Sequence, residues 1–282
     1  MSRPPSDAAL PPGGSSAPLL DVRGLCVSYG RRTAVEDVSF SLRQGRCLGI
    51  AGESGSGKST LARAILGLEP AVSSGEVLFR GRDVLSMSAR ERKAFRSHAQ
   101  MVFQDPYGSL NPRLSVGDAL SEVLRVHGIA RGAAALDRAR DALASVALGS
   151  EFLSRKPHEM SGGQRQRVNI ARALCVGAEL LVADEPASAL DVSVQAQILN
   201  LLKDLQRRRG LTLIVIGHDL AALRYLANDM LVMRAGRRVL LADAATATTA
   251  PGEPYTASLL RAVPDVERAL AERRGLNDGS WI

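Results

Sequence analysis

Lysine is scarce. Only four of the 36 cationic side chains are lysines (Lys58, Lys93, Lys156, Lys203). Aromatic residues are scarce too, at 4 %. The net charge of +7 therefore forms no lysine-rich tract and no basic patch interleaved with aromatics. Those are the patterns expected of a nucleic-acid binder, so no nucleic-acid partner is expected. Arginine spread over a solvated surface fits better, and such charge speaks to solubility and encounter rather than fold. Cysteine is nearly absent: Cys26, Cys47 and Cys175 are odd in number and far apart. That excludes a disulfide framework or a thiolate metal site, and suits buried free thiols in a reducing compartment. Apolar runs are short, such as Leu213 to Gly217. A bilayer-spanning helix needs about 20 apolar residues, so a crossing of the membrane by this chain is not expected.

What remains is an ordinary globular balance, 45 % hydrophobic and 23 % charged over 282 residues, which excludes a mainly disordered chain. At roughly 150 residues per domain the length allows one large domain or two small ones. Residues 1–18 are rich in Pro, Ser, Ala and Gly and lack the layout of a signal peptide, so they read as a disordered tail with no export role.

Order is expected from Leu19 onward. Residues 19–28 and 35–42 alternate apolar and polar side chains, which predicts half-buried antiparallel strands. Residues 47–52 (CLGIAG) are continuously apolar, the mark of a strand buried on both faces of a parallel sheet. A glycine-rich turn and a helix over 60–68 follow. Residues 75–80 read as a further edge strand and 101–104 as a core strand. From about 112 to 175 the period is helical. Strands return at 179–185 and 211–218, separated by a helix ending at Gly210. Residues 230–242 read as a hairpin turning at Ala235-Gly236. Together these predict a parallel-sheet core, a helical insertion and a small antiparallel sheet, with no internal repeat.

Gly52-Glu53-Ser54-Gly55-Ser56-Gly57-Lys58-Ser59-Thr60 fits G-x-x-x-x-G-K-[ST], with a buried strand before it and a helix after it. Glycines let the backbone turn tightly, so its N–H groups form an anion nest at a helix N-terminus. In that setting Lys58 reaches the β- and γ-phosphates and Ser59 ligates Mg²⁺. The apolar run Leu180-Leu181-Val182-Ala183 lifts Asp184 to a strand's C-terminal end, where ligands of α/β sheets gather. Asp184 suits the Mg²⁺ shell, and Glu185, one residue on, can polarise an attacking water.

Met160-Ser161-Gly162-Gly163-Gln164-Arg165-Gln166-Arg167 places a serine and two glycines at a helix start. By itself this is either a simple N-cap or a second backbone anion site. Taken with the phosphate loop, the set resembles the ATP-binding subunits of ABC transporters, from about Leu19 to Pro264. Tyr29 resembles the aromatic that stacks on adenine, Gln104 the loop glutamine, Ser188-Ala189-Leu190-Asp191 the D-loop, and His218 the switch histidine. Alone, Tyr29 reads as an edge aromatic and His218 as a satisfied strand-end histidine.

The resemblance implies a RecA-like P-loop NTPase core over residues 19–245. It carries an antiparallel β subdomain and an α-helical subdomain inserted at about 105–165. Residues 246–282 would be a C-terminal extension of the kind peptide importers carry. It further implies ATP and Mg²⁺ as cofactors. Two cassettes would sandwich two ATP molecules head to tail, each site combining residues 52–60 of one chain with Ser161-Gly162-Gly163-Gln164 of the other. Lys58, Gln104, Glu185 and His218 would act in catalysis, with Ser59, Gln104 and Asp184 around the metal and Asp191 at the subunit seam. The partners implied are a second, distinct ATPase subunit, two transmembrane permease subunits and, indirectly, a substrate-binding protein. The place implied is the cytoplasmic face of the cell membrane.

Three stretches refine the branch: Phe103 to Arg113, Asp191 to Ile198, and Pro254 to Pro264. All resemble importers of di- and oligopeptides and of nickel. Tyr255, Leu259 and Leu260 fall on one helical face, suited to docking a tail on the core. Ala187, Gly217 and Glu253 depart from that branch, where Thr, Thr and His are usual, but none is a phosphate-contacting position. Absence of cysteine beyond Cys175 argues against the iron–sulfur centre some relatives carry. An ATPase of a non-transport assembly, such as a phosphonate carbon–phosphorus lyase complex, is the alternative, and the Tyr107–Arg113 stretch argues against it. Ribosomal or nucleic-acid ATPases with this core usually carry two cassettes or a long coiled coil, and 282 residues hold neither.

Overall fold

A computed structural model describes residues 17–249 and 252–262. The expected tail, apart from its last two residues, and the stretch from 263 to 282 lie outside the described residues.

One sheet is antiparallel, built from β1 (Leu20–Tyr29), β2 (Arg32–Leu42), β4 (Val72–Phe79) and the two-residue β5 (Arg82–Asp83), in the order β2-β1-β4-β5. Along β1 the buried positions are Leu20 and Val22, then Leu25 and Val27. That change of phase falls where the register slips against both neighbours, at Gly24, whose φ is 53°. Glycine accepts this left-handed backbone at no steric cost, and the bulge keeps all four side chains on the core face.

The second sheet has six strands: β3 (Cys47–Ala51), β6 (Ala99–Val102), β7 (Leu180–Asp184), β8 (Thr212–Ile216), β9 (Asp229–Arg234) and β10 (Arg237–Asp243), in the order β10-β9-β3-β8-β7-β6. All pairs are parallel except β9 with β10. Every residue of β3 and β8 is buried. Alternate side chains enter two different cores. Leu48, Ile50, Ile214 and Ile216 face the antiparallel sheet, with α1 (Lys58–Ile65) wedged in that layer through Leu61, Ala62 and Ile65. Cys47, Ala51, Leu213 and Val215 face the opposite core. A continuously apolar strand is what two buried faces demand.

The opposite core joins α3 (Val116–His127), α4 (Ala133–Ser145), α5 (Gly162–Cys175) and α6 (Val192–Arg209) to the sheet. Ser115 and Ser161 cap α3 and α5 through reciprocal bonds with Asp118 and Gln164, and Gly128 and Gly210 end α3 and α6 in the left-handed region. Shorter helices are α2 (Ala89–His98), α7 (Leu220–Leu226), α8 (Ala244–Thr249) and α9 (Pro254–Ala262).

Several expectations need correction. The 101–104 strand lies at 99–102, which leaves Phe103 half exposed and Gln104 in a loop. The 75–80 strand is interior to its sheet, because β5 pairs beyond it. The 230–242 hairpin is present as expected, β9 and β10 pairing antiparallel about Ala235-Gly236, and the structure adds that β9 lies parallel to β3 in the six-stranded sheet. Helices α2 and α7 were not expected. Only Phe95 of α2 is buried, so no apolar stripe marks it, although the Ser88–Glu91 capping box does.

Ile50→Ala leaves a void where α1 and the two sheets meet. It should cost about 2–5 kcal/mol, measured as a lower midpoint in urea unfolding.

Candidate nucleotide site

The site is built at the C-terminal ends of β3, β6, β7 and β8. β3 runs straight into the loop 52–57, and Gly57, with φ 99°, caps α1. Glycine is forced at both ends of this loop. A Cβ on Gly52 would lie 2.3 Å from the Met233 carbonyl oxygen, and one on Gly57 2.3 Å from that of Ala34. The outer wall is the β9–β10 turn, whose Gly236 N–H donates to the Ser56 carbonyl at 3.1 Å.

Lys58 is buried and folds back into the loop. Its Nζ donates to the carbonyl oxygens of Gly52 at 2.8 Å and Glu53 at 2.7 Å, with Ser56 Oγ at 3.5 Å. Burial lowers its pKa, and the carboxylates of Glu185, Asp184 and Glu53 partly restore it. Asp184, at the tip of β7, has its pKa raised by burial, with a hydrogen bond from Ser59 opposing. A buried lysine beside a hydroxyl–carboxylate pair that resists ionisation suits a triphosphate and its divalent cation. Among the described residues no cluster of three or more His, Cys, Asp or Glu could hold a metal by protein ligands alone. Mg²⁺ needs only one or two carboxylates when substrate phosphates complete its shell, and Asp184 with the Ser59 hydroxyl are the residues that could hold it here.

Glu185 has φ 46°, a left-handed backbone that costs a non-glycine residue about 1–2 kcal/mol. Its N–H donates to the Ile216 carbonyl of β8 at 3.0 Å, which holds the turn. Gln104 Nε2 donates to Glu185 Oε2 at 2.9 Å, and His218 Nδ1 lies 3.4 Å from Oε1. Glu185 is thus gripped on both carboxylate oxygens by the two side chains expected to work with it. The Gln104 amide also approaches Ser188 Oγ at 3.5 Å.

Two expected residues lie at the periphery. Tyr29 ends β1 half exposed, and the Glu69 carboxylate, hydrogen-bonded to its phenol, raises its pKa. Asp191 is fully accounted for as the N-cap of α6, accepting from Val194 N–H at 3.0 Å and the Ser193 hydroxyl at 2.7 Å, and those bonds lower its pKa. Ser161 bonds only to the first turn of its own helix, reciprocally with Gln164 and through its carbonyl with the Arg165 N–H, and among the described residues no hydrogen bond joins it to residues 52–60. Its two glycines press on the Asp191 segment instead. A Cβ on Gly162 would lie 2.9 Å from Leu190 Cδ2, and one on Gly163 2.4 Å from Val194 Cγ1.

The structure adds contacts that the motifs did not disclose. Arg165 lays its guanidinium over the Tyr107 ring at 3.8 Å, Asn169 Nδ2 donates to the Pro106 carbonyl at 3.5 Å, and Arg172 donates to the Ser109 carbonyl. These positions recur at i, i+4 and i+7 on α5, a helical polar stripe that the sequence displayed. Tyr255 of α9 also reaches the loop, with Glu53 N–H donating to its hydroxyl at 3.3 Å.

A glycine-lined anion loop, a buried lysine and two strand-end carboxylates on a parallel sheet define a phosphate-loop nucleoside triphosphatase. The comparisons specify the class. The family model "ABC transporter" matches residues 35–188. The oligopeptide transport ATP-binding protein OppF of Bacillus subtilis is 48 % identical over 237 residues, 83 % of this chain and 77 % of that protein. The dipeptide transport ATP-binding protein DppF of Lactococcus lactis is 43 % identical over 247 residues, covering 87 % and 79 %. Among solved structures, the dimeric ATP-binding cassette MJ0796 bound to ADP and phosphate superposes with a TM-score of 0.70 at 29 % identity, over 80 % of this chain and 98 % of that one. The chain belongs to the ABC transporter family, as one of its ATP-binding, ATP-hydrolysing proteins.

Asp184→Asn should stabilise the nucleotide-free protein at neutral pH. A raised carboxylate pKa means that the ionised form is the strained one, so the wild type loses stability as pH climbs through the carboxylate range. The gap between the two proteins should close in acid, where Asp184 is protonated, and thermal unfolding across pH 4–8 checks the sign.

Proposed function

We propose that the chain is the ATP-hydrolysing subunit of an importer of peptides, or of nickel, working through ATP-driven closure of two nucleotide-binding subunits. The observation that carries this reading is the placement of Ser161. It caps its own helix and makes no bond to its own phosphate loop, while Lys58, Ser59, Asp184, Glu185, Gln104 and His218 gather at the ends of four strands. A serine-capped helix end with no bond to its own phosphate loop suits the γ-phosphate of a neighbour's. There a second helix N-terminus stabilises developing negative charge most strongly once water is excluded.

In this reading residues 19–245 form the cassette, with the helical part at about 105–165 inserted, and 246–282 form the extension. Amides of residues 52–60 and Lys58 hold the phosphates, while Tyr29 stacks on the base. Ser59 and Asp184, with Gln104 nearby, hold Mg²⁺, which neutralises charge on the β- and γ-phosphates when bound. Glu185 orients the attacking water and accepts its proton. Gln104 and His218 keep that carboxylate aimed, and His218 meets the γ-phosphate as the site closes. Asp191 lies at the seam between subunits. Phosphoryl transfer needs mostly positioning and charge neutralisation, so this set suffices.

Among the described residues no helix is long and apolar enough to cross a membrane. The partners that complete the machine are a second, distinct cassette, two transmembrane subunits and, through them, a binding protein, which places the chain at the inner membrane face. The exposed loop 103–109 that bears Gln104 is the surface suited to contact the transmembrane subunits.

Glu185→Gln should retain ATP binding, lower turnover by at least about 10²-fold and accumulate an ATP-held dimer. Sedimentation with and without ATP, beside a phosphate-release assay, tests it, and near wild-type turnover would remove Glu185 from its role.

A further inference from the structure

The Gly52 carbonyl and the Glu53 N–H are the two ends of one planar peptide unit. Lys58 holds one end, donating to the Gly52 oxygen at 2.8 Å. Tyr255 holds the other, its hydroxyl accepting the Glu53 N–H at 3.3 Å. That unit is where strand β3 becomes the phosphate loop. Its orientation decides whether a carbonyl or an N–H faces Lys58.

Tyr255 is itself fixed from three sides. The Glu253 carboxylate caps the start of α9, accepting from the N–H groups of Tyr255 at 3.0 Å and Thr256 at 2.6 Å and from the Thr256 hydroxyl at 2.8 Å. The Arg234 guanidinium, at the end of β9, lies 4.7 Å from the ring centre. Leu259 and Leu260, one turn on, pack against the helical core. Tyr255 as a whole is 6 % exposed. Burial raises the phenol pKa, so the hydroxyl stays neutral.

We infer that Tyr255 is a positioning residue for nucleotide binding, pinning the Gly52–Glu53 peptide so that Lys58 keeps its seat inside the loop. This rests on the reading of residues 52–60 as the ATP site. Without the hydroxyl the peptide is free to rotate. Lys58 then loses a carbonyl partner, and the loop must be re-formed each time nucleotide binds. Ordering of that kind weakens binding without touching the chemical step. The segment around α9 thus becomes part of the ATP site although it lies some 200 residues from the loop.

The test is Tyr255→Phe in the full-length chain. Its dissociation constant for a non-hydrolysable ATP analogue with Mg²⁺ is measured by titration calorimetry beside wild type, Lys58→Ala and the double variant. The single Phe variant should bind about five-fold more weakly, the loss expected of one net hydrogen bond. Its turnover at saturating ATP should stay within about two-fold of wild type, and its KM for ATP should rise in step with the dissociation constant. In the Lys58→Ala background the same change should cost nothing further, because Tyr255 acts through Lys58. Unchanged affinity in Tyr255→Phe overturns the inference, even with a lowered melting temperature, since that pattern marks a purely structural tyrosine. A full five-fold loss in the Lys58→Ala background overturns the route through Lys58. Wild-type protein that does not bind the analogue at all overturns the ATP-site reading itself, and this inference with it.

Discussion

The buried Lys58 ammonium is the interaction on which the rest of the site depends. A cation removed from water must find oxygen atoms, and here the loop's own carbonyls supply them. The loop can turn its carbonyls inward only because glycines stand where Met233 and Ala34 press closest. Those two backbone neighbours come from β9 and from β2, one in each sheet. The lysine therefore sits at the junction of both sheets, and the loop's shape is a property of the whole packing around it.

That junction explains the two-sided character of the parallel sheet. One face of β3 and β8 supports α1 and the antiparallel sheet, while the other supports the helical region. Strand ends emerge between these layers, where Asp184, Glu185 and His218 can be held close together yet reached from outside. Burial raises the Asp184 pKa and lowers that of Lys58. Both shifts reflect charges short of solvent, a condition that a bound polyanion and its counter-cation would relieve together. The fold accepts a local electrostatic penalty at the spot where its ligand brings compensating charge.

Much of this was legible beforehand. The continuous apolar run at 47–52, the glycine loop and the Leu180–Glu185 segment identified the sheet and its chemistry, because burial on both faces and anion binding leave little freedom in sequence. What escaped notice lacked such a signature. Helix α2 is almost wholly polar, and only its capping box betrays it. The pairing of β9 with β3 depends on contacts between distant residues, so a hairpin pattern at 230–242 could not say which sheet it joins. The grip of Gln104 and His218 on Glu185 likewise joins residues 81 and 33 positions apart. The family resemblance supplied the names of those residues, but not that they meet on one carboxylate.

Helix α5 is tied to the loop that follows Gln104 at three rungs, through Arg165, Asn169 and Arg172. Its first turn is wedged against Leu190 and Val194 with no room for so much as a methyl group on Gly163. Loop, helix and the segment beginning α6 consequently form one stiff linkage. Displace the glutamine end, and the serine end has nowhere to hide the motion. Under the proposed pairing of cassettes, an event at one catalytic pocket would travel along a rod whose opposite tip serves a different one.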